Sequence, residues 1–332
     1  MKPKVAVIGV GGTIASLSAS GPLDVVDYSA NPTRLETDQI VERFSEVRDV
    51  ADVVPVRFKS VPSTKVAFPE WKALVQTADQ QVSNYPDLAG IVVLHGTATL
   101  EETAYMLNLT AKVAVPIVVT GSQRPASALS TDAGRNLVNA VRVAASPAAR
   151  GMGVLVCFND EIHAAREVTK TATARLQAFR TPDFGALGHA DGDAVVFYRR
   201  LIRRCAPDTV FDLRNRDELP RVDIAYCYAG DDGTAVRAFV AAGAKGVVVA
   251  SLAPGILTPG ETAALRDAVA AGVTVVLSSR VGSGRVFPLS RNRAEGFLVA
   301  DNLTPQKARI LLSMALTVTN EPTQIEQFFA EY

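Results

Sequence analysis

Several features that would indicate particular classes of protein are missing from this sequence. Its 34 basic and 34 acidic side chains leave no net charge, which argues against nucleic acid or an anionic membrane as the main partner. Its three cysteines, Cys157, Cys205 and Cys227, have no CxxC spacing, which favours reduced thiols in a cytoplasmic protein over a disulfide framework. Its three histidines have no metal-ligand spacing, so we predict no metal site.

Long apolar runs and aromatic residues are also scarce. The first apolar run, in MKPKVAVIGVGG, ends in glycines and is too short for a membrane span or a signal peptide. We therefore expect a cytoplasmic protein without a membrane partner. Aromatic residues make up only 6% of the chain and hydrophobic residues 48%, which is typical of an α/β protein rich in small aliphatic side chains.

Short β-branched runs alternate with helix-like stretches along most of the chain, and this alternation predicts parallel sheets flanked by helices. The 332 residues exceed what one ordinary core supports, so we expect two domains. The larger N-terminal α/β domain, with a mostly parallel sheet and the active site, is predicted over residues 1–190. Residues 181–220, rich in proline, glycine and arginine, are predicted to form a small hairpin followed by a linker. That linker, over 191–220, leads to a smaller C-terminal α/β domain over 221–332.

A glycine-rich turn, in VAVIGVGGTIAS, follows the first predicted strand. Gly9 and Gly11 resemble the start of a dinucleotide-binding fingerprint, but Ile14 stands where the third glycine belongs, which argues against a nicotinamide cofactor. The glycines allow the backbone to approach a ligand closely and present Thr13 at the strand end, where a hydroxyl can act as a nucleophile. The structural alternative is that Thr13 caps a helix.

Two hydroxyls follow the predicted strand that ends at Leu94. Thr97 lies at a strand-to-helix junction, where open α/β sheets usually bind their ligands. The structural alternative is that Thr97 or Thr99 caps the next helix, with Glu101 or Glu102 completing a capping box.

Lys170 lies between two threonines beyond the predicted strand Val154–Phe158. A surface lysine is the ordinary interpretation, whereas a lysine desolvated in a cleft has a lowered pKa and can act as a general base. Gln123, Arg124 and Asp132 are interpreted as scaffold around the first sheet.

Four motifs occur in a fixed order along the chain. They are GGTIAS at 11–16, HGTATLEETAYML at 95–107, TGSQRPASALSTD at 120–132 and VTK at 168–170. With the ending DNLTPQKARILLSMALT, they resemble the bacterial L-asparaginase/glutaminase (asparaginase 1) family over nearly the whole chain. The resemblance implies a hydrolase of amide C–N bonds that uses a threonine nucleophile and an acyl-enzyme, without metal or cofactor. It also implies a homodimer or homotetramer.

The resemblance also implies roles for individual residues. Thr13 matches the nucleophile, and Tyr28 matches the tyrosine that accepts or relays its proton. Thr97 would hold the carbonyl or position water, with Lys170 as its partner. The implied substrate-binding residues are Ser63, Thr64, Gly96 and Ala98, with Ser60 as an alternative to Ser63.

The chain departs from the family pattern around the substrate's amino group. The family motif is HGTDT, and Ala98 stands where the aspartate belongs; that aspartate holds the substrate's α-ammonium and pairs with the lysine matching Lys170. Thr64 replaces a glutamine, Pro254 replaces an asparagine that a neighbouring subunit supplies, and VGSGRVFPLSR lacks an acid that is often present. The groups that would hold an ammonium are thus missing, while the implied catalytic residues remain.

We therefore predict an amidohydrolase for a small carboxamide, imide or lactam that lacks an α-amino group. The first alternative is an L-asparaginase weakened or inactivated by Ala98. The second is a non-catalytic ligand-binding homologue, and the third is a nicotinamide oxidoreductase.

Overall fold

The computed structural model describes residues 1–28, 30 and 33–332, which divide into two compact units, residues 1–214 and 215–332. An eight-stranded sheet forms the centre of the first unit, and a four-stranded sheet forms the centre of the second. The predicted two-domain α/β fold, with the larger domain at the N terminus, is confirmed.

The first unit combines one large sheet with two short strand pairs. Its strands are β1 Lys4–Gly9, β2 Ser16–Leu17, β3 Thr33–Arg34, β4 Asp52–Arg57, β5 Leu88–Leu94, β6 Ile117–Thr120, β7 Val154–Phe158, β8 Glu161–Ala164, β9 Thr169–Lys170, β10 Phe179–Arg180, β11 Gly188–Ala190 and β12 Val195–Phe197. Its α-helices are α1 Thr37–Arg43, α2 Val47–Val50, α3 Phe68–Asn84, α4 Leu100–Thr110 and α5 Ala133–Ala145. Short 3-10 helices lie at Thr13–Ala15, Ser63–Lys65 and Pro147–Ala149.

The large sheet has the strand order β12-β11-β8-β7-β6-β5-β1-β4 and is mixed. Strands β4, β1, β5, β6 and β7 are parallel to one another, and β8, β11 and β12 continue the sheet in antiparallel pairs. The central parallel strands are almost wholly apolar because both faces of a parallel sheet are buried. The short edge strand β12, residues 195–197, lies inside the segment that the sequence assigns to a linker.

The second unit is a smaller parallel α/β layer. Its elements are β13 Val222–Tyr226, α6 Thr234–Ala241, β14 Gly246–Ser251, α7 Pro259–Ala270, β15 Thr274–Ser279, α8 Ser290–Ala294, β16 Leu298–Val299, α9 Pro305–Ala315 and α10 Pro322–Glu331. The strands pair in chain order and in parallel. Val247, Val249, Leu265 and Leu277 are fully buried in its core, as expected where helices cover the sheet.

Two further predictions concern thiols and membranes. Cys157, Cys205 and Cys227 are all free thiols, as their spacing predicts. Among the residues described, no helix combines the length and the apolarity needed to cross a bilayer.

Candidate active site

The carboxyl ends of the neighbouring parallel strands β1 and β5 meet in a contact between two glycine backbones. Gly12 has a φ of +92°, and a Cβ built on it would lie 2.3 Å from the Cα of Gly96. A side chain at position 12 would be both strained and in collision, so only glycine fits. This contact holds the turn that carries Thr13 against the turn that carries Thr97.

Thr13 is the first residue of a 3-10 helix, and its hydroxyl is bonded outside that helix. Gly12 occupies the capping position, so the alternative that Thr13 is a helix cap is wrong. Instead, Thr13 Oγ1 lies 2.7 Å from the hydroxyl of Tyr28, and either oxygen can donate the proton. Both side chains are half-buried. The pair has the short contact that a nucleophile and a proton acceptor require.

The loop that carries Tyr28 is held by a local turn around Asp24. Asp24 Oδ1 accepts the backbone N–H groups of Val26 and Asp27, at 3.1 and 2.9 Å. Its second oxygen accepts the hydroxyl of Ser18 at 2.6 Å. The Ser18 bond, followed by the backbone bonds, holds the pKa of Asp24 below its usual range. An aspartate that accepts nearby N–H groups in this way fixes a turn, and here that turn leads directly to Tyr28.

Thr97, Gln123 and Lys170 form a second polar cluster. Lys170 Nζ donates to Thr97 Oγ1 at 2.8 Å and to Gln123 Oε1 at 3.4 Å. Thr97 Oγ1 also donates to Gln123 Oε1, at 3.3 Å. Three separate elements supply these residues: the turn after β5, the turn after β6 and the short strand β9. Lys170 is therefore half-buried in a built contact, and its interpretation as an ordinary surface lysine is wrong.

The surroundings of Lys170 favour its neutral form. Desolvation lowers the pKa of Lys170, and the charge of Glu101 opposes that shift. Glu101 Oε1 accepts the backbone N–H of Lys170 at 3.3 Å. Within residues 1–28, 30 and 33–332, no carboxylate forms an ion pair with Lys170 Nζ, whose acceptors are the neutral oxygens of Thr97 and Gln123. A lysine in such a position can accept a proton.

Gln123 is the functional candidate that the sequence interpretation missed. The backbone N–H groups of Gln123 and Arg124 each donate to the Asp132 carboxylate at 2.9 Å, which agrees with a scaffold role for this turn. The Gln123 side chain, however, reaches Thr97 and Lys170. Its Nε2 is buried and has no hydrogen-bond partner in the described part of the chain. Its position just beyond β6, the strand next to β5, is the signal that could have identified it.

A buried chain of hydrogen bonds explains the histidine and glycine before Thr97. Trp71 Nε1 donates to Thr103 Oγ1 at 2.9 Å, and Thr103 Oγ1 lies 3.0 Å from His95 Nε2. Because the tryptophan N–H can only donate, the Thr103 hydroxyl donates to His95, whose Nδ1 then donates to the Gly96 carbonyl at 2.8 Å. Burial lowers the pKa of His95 to about 4. His95 is therefore a neutral residue that fixes the turn carrying Thr97.

The predicted substrate-binding residues lie around the same turn. Ala98 and Thr64 are exposed. Thr99 precedes α4, but its hydroxyl donates to the carbonyl of Ser63 at 2.7 Å, so the predicted capping hydrogen bond is not made and the capping-box alternative is wrong. A Cβ on Gly96 would lie 2.7 Å from Ser63 Oγ. Ser63 and Gly96 are thus in direct contact.

Ser60, the alternative to Ser63, lies beside the other glycine turn. A Cβ on Gly11 would lie 3.1 Å from Ser60 Oγ, and that hydroxyl is buried without a partner in the described residues. Ser60 therefore contacts the turn after β1, and Ser63 contacts the turn after β5. Their roles toward a substrate stay predictions.

Comparison with known proteins gives the family. Residues 4–203 match the asparaginase N-terminal domain family, and residues 221–329 match the glutaminase/asparaginase C-terminal domain family. The chain belongs to the asparaginase family of amidohydrolases. The predicted resemblance is thereby confirmed, and the two matched ranges fall within the two units of the asparaginase fold.

Individual relatives match the chain over nearly its full length. L-asparaginase 2 of Bacillus subtilis (strain 168) is 41% identical, over 99% of this chain and 87% of its own. L-asparaginase 2 of Escherichia coli (strain K12) is 35% identical, over 99% and 93%. The crystal structure of a probable cytoplasmic L-asparaginase from Campylobacter jejuni matches with a TM-score of 0.94 at 36% identity, over 100% of both chains.

Proposed function

We propose that this asparaginase-family chain hydrolyses a small carboxamide, imide or lactam that has no α-amino group, through a threonine nucleophile. In the first step Thr13 Oγ attacks the amide carbonyl carbon while Tyr28 takes the hydroxyl proton. The C–N bond then breaks, the nitrogen takes up a proton, and an acyl-enzyme ester remains. A carboxamide nitrogen leaves as ammonia, whereas the nitrogen of a cyclic imide or lactam stays attached to the ring-opened acyl group. Water attacks that ester, releases the acid and restores the Thr13 hydroxyl. The 2.7 Å contact between the two hydroxyls supports these roles.

Thr97 and Lys170 are proposed to serve the carbonyl or the attacking water. A neutral Lys170 can withdraw a proton through Thr97, to which its Nζ is bonded at 2.8 Å. The amide oxygen of Gln123 accepts from both side chains and so limits the orientations that they can adopt. Positioned groups of this kind contribute because no reorganisation is needed in the transition state.

The proposed substrate class depends on the absence of a carboxylate at position 98, which carries a methyl group, so that Lys170 Nζ is bonded to neutral oxygens. The family resemblance implies a carboxylate at position 98. Position 98 is exposed in the free chain; once a bound substrate covers it, an ammonium there without its anion would lose roughly 3–5 kcal/mol, by analogy with broken buried ion pairs. That loss corresponds to a roughly hundred- to thousandfold weaker recognition of asparagine. An amide without the α-amine would not lose this interaction.

A second candidate, a weakened L-asparaginase, is favoured by the similarity of the chain to the three L-asparaginases described above. In that case the substrate would be L-asparagine, the products aspartate and ammonia, and Ala98 would reduce the rate without changing the specificity.

The experiment that separates the candidates is ammonia release from L-asparagine and from succinamate, which is asparagine without its amine. We expect succinamate to be hydrolysed faster and the Thr13→Ala variant to hydrolyse neither. Faster hydrolysis of L-asparagine would contradict the proposal and support the second candidate. If these two amides, cyclic imides and lactams are all left intact, while small carboxylic acids raise the melting temperature, the chain is a ligand-binding homologue.

The setting of the reaction is proposed from the family alone. We expect a homodimer or homotetramer, a cytoplasmic location and no cofactor. Light scattering of the purified chain measures the first of these, and a monomeric mass in solution with full activity would contradict it.

A further inference from the structure

The second unit contains a buried cluster that plays no part in the proposed reaction. Cys227 follows β13, Asp231 precedes α6, and Glu261 lies in the first turn of α7. One ligand atom from each side chain, a sulfur or a carboxylate oxygen, lies within 4.8 Å of the other two. Cys227 and Glu261 are 0% exposed, and Asp231 is 7% exposed.

Glu261 differs from its surroundings because its buried carboxylate makes no hydrogen bond of ordinary geometry to any described residue, although Cys227 and Asp231 lie beside it. Neither of its carboxylate oxygens makes a hydrogen bond within residues 215–332 or elsewhere in the described chain. The backbone around it is satisfied: Thr258 Oγ1 accepts the Glu261 N–H at 3.1 Å and donates to the Asp231 carbonyl at 2.6 Å. Asp231 Oδ1 accepts the Gly233 N–H at 2.9 Å. The unsatisfied group is therefore the carboxylate that faces Cys227 and Asp231.

Buried carboxylates in proteins are paired, protonated or bound to a cation. Two carboxyl groups and a thiol that face one another provide no positive charge of their own. A cation placed between them would satisfy the oxygens of Glu261 and remove the repulsion between the acids.

We propose that Cys227, Asp231 and Glu261 form a binding site for a divalent transition metal ion of the Zn²⁺ class. A thiolate with two carboxylates suits Zn²⁺ and Co²⁺, whereas Mg²⁺ and Ca²⁺ prefer oxygen ligands alone. Binding would replace the Cys227 S–H proton with the metal and release that proton to solvent. One sulfur, one Asp231 oxygen and the two Glu261 oxygens would supply four donor atoms.

The site would act on stability rather than on the amide reaction. It would tie the end of β13 and the loop before α6 to the first turn of α7. All three ligands are buried, as in structural sites that keep no open coordination position. A metal that binds only the folded chain raises its melting temperature.

The test is metal titration of the full chain, purified without a histidine tag and stripped with a chelator. We expect one Co²⁺ per chain with a thiolate-to-cobalt charge-transfer band, competition by Zn²⁺, and a higher melting temperature with Zn²⁺ but not with Mg²⁺. Cys227→Ser should lose the band, and the matched control Cys205→Ser, in the first unit, should keep it. Absence of stoichiometric binding, or a band that persists in Cys227→Ser, would overturn the proposal.

Glu261→Gln provides an independent test, because it should lower the affinity for Co²⁺ without lowering the stability of the metal-free chain. The amide keeps the shape but removes the buried charge, so the metal-free chain should be as stable as the parent or more stable. Its affinity for Co²⁺ should fall by about tenfold or more. Unchanged Co²⁺ affinity in Glu261→Gln would show that this carboxylate is not a ligand and would overturn the site as proposed.

Discussion

The Thr13–Tyr28 pair and the Thr97–Gln123–Lys170 cluster are held in place by different means. Tyr28 lies on a surface loop whose turn is fixed locally by Asp24. The cluster joins three separate elements of the first unit. The turn that carries Thr97 is supported by the buried bonds of His95.

This difference separates a loop-borne half of the proposed site from a preorganised half. Loops that carry function are drawn from the less stable parts of a fold, so we expect the position of Tyr28 to adjust more easily than those of Thr97 and Lys170. In the preorganised half, Lys170 is held by the neutral oxygens of Thr97 and Gln123 and does not need a carboxylate at position 98. A change of residue at position 98 can therefore alter substrate specificity while the proposed proton-transfer groups stay in place.

The largest effect is expected at the nucleophile. Thr13→Ala should lower kcat for ammonia release by about a thousandfold or more, because no covalent acyl-enzyme can form. Steady-state assays with circular dichroism as a folding check measure this. Ser20→Ala, an exposed serine on the same loop, should retain activity. Substantial activity in Thr13→Ala would show that Thr13 is not the nucleophile.

In the Thr97–Gln123–Lys170 cluster, Lys170→Met should reduce kcat/KM by about a hundredfold, the lower end of the range for losing a general base. Since the neutral amine of Lys170 is the proposed active form, kcat/KM of the parent chain should rise with pH. The midpoint of this rise should lie below the pKa of an ordinary lysine, because desolvation lowers the pKa of Lys170.

Gln123→Glu sharpens the same prediction. A carboxylate beside the ammonium raises its pKa by about one unit or more, so the rising limb of kcat/KM should move to higher pH. Gln123→Met, which adds no charge, should not move the limb upward. An unshifted profile in Gln123→Glu would show that Lys170 does not supply the titrating group.

His95, which fixes the turn that carries Thr97, should make the free energy of unfolding depend on pH. The pKa of His95 falls from 6.5 to about 4 on burial, so between these pH values the unfolded chain binds a proton that the folded chain does not. The free energy of unfolding should therefore fall as the pH drops through this window, by about 3 kcal/mol in total. Urea unfolding at several pH values measures it.

The control for that prediction is a second histidine variant. His95→Gln should reduce the dependence of the free energy of unfolding on pH. His189→Gln, which changes a half-buried residue of β11, should leave that dependence unchanged. An equal slope in both variants would assign the effect to other groups.

The smallest expected effect is at Thr99. Thr99→Val removes the hydroxyl that donates to the Ser63 carbonyl and should lower the free energy of unfolding by about 1 kcal/mol. Thr99→Ser keeps the donor and should lose less, as thermal unfolding can measure. No loss in Thr99→Val, which keeps the methyl group, would show that the hydrogen bond does not contribute to stability.

The strands were the most predictable part of the molecule. The strand predicted at Val154–Phe158 occurs with those bounds, and β5 ends at Leu94 as predicted. Buried parallel strands leave continuous apolar runs in the sequence. The edge strands β11 and β12 pair as an antiparallel hairpin, as predicted for residues 181–220, although β12 extends into the range assigned to the linker.

The polar contacts were less predictable than the strands. Threonine is a common helix cap, but the hydroxyls of Thr13 and Thr99 are hydrogen-bonded to residues distant in the sequence. Local sequence preferences carry no information about such partners. Gln123 was assigned to the scaffold since its backbone does serve that role, while the direction of its side chain is set by packing. The approach of Glu261 to Cys227 depends on the strand order of the second unit, which no local pattern specifies.

The proposed function requires that the proton-transfer groups are kept while recognition of the α-ammonium is lost. This is tested by the ratio of kcat/KM for succinamate to that for L-asparagine, measured in the parent chain and in Ala98→Asp. We expect a ratio above one in the parent that falls by about a hundredfold or more in Ala98→Asp. A parent that prefers L-asparagine, with a ratio unchanged by Ala98→Asp, would contradict it.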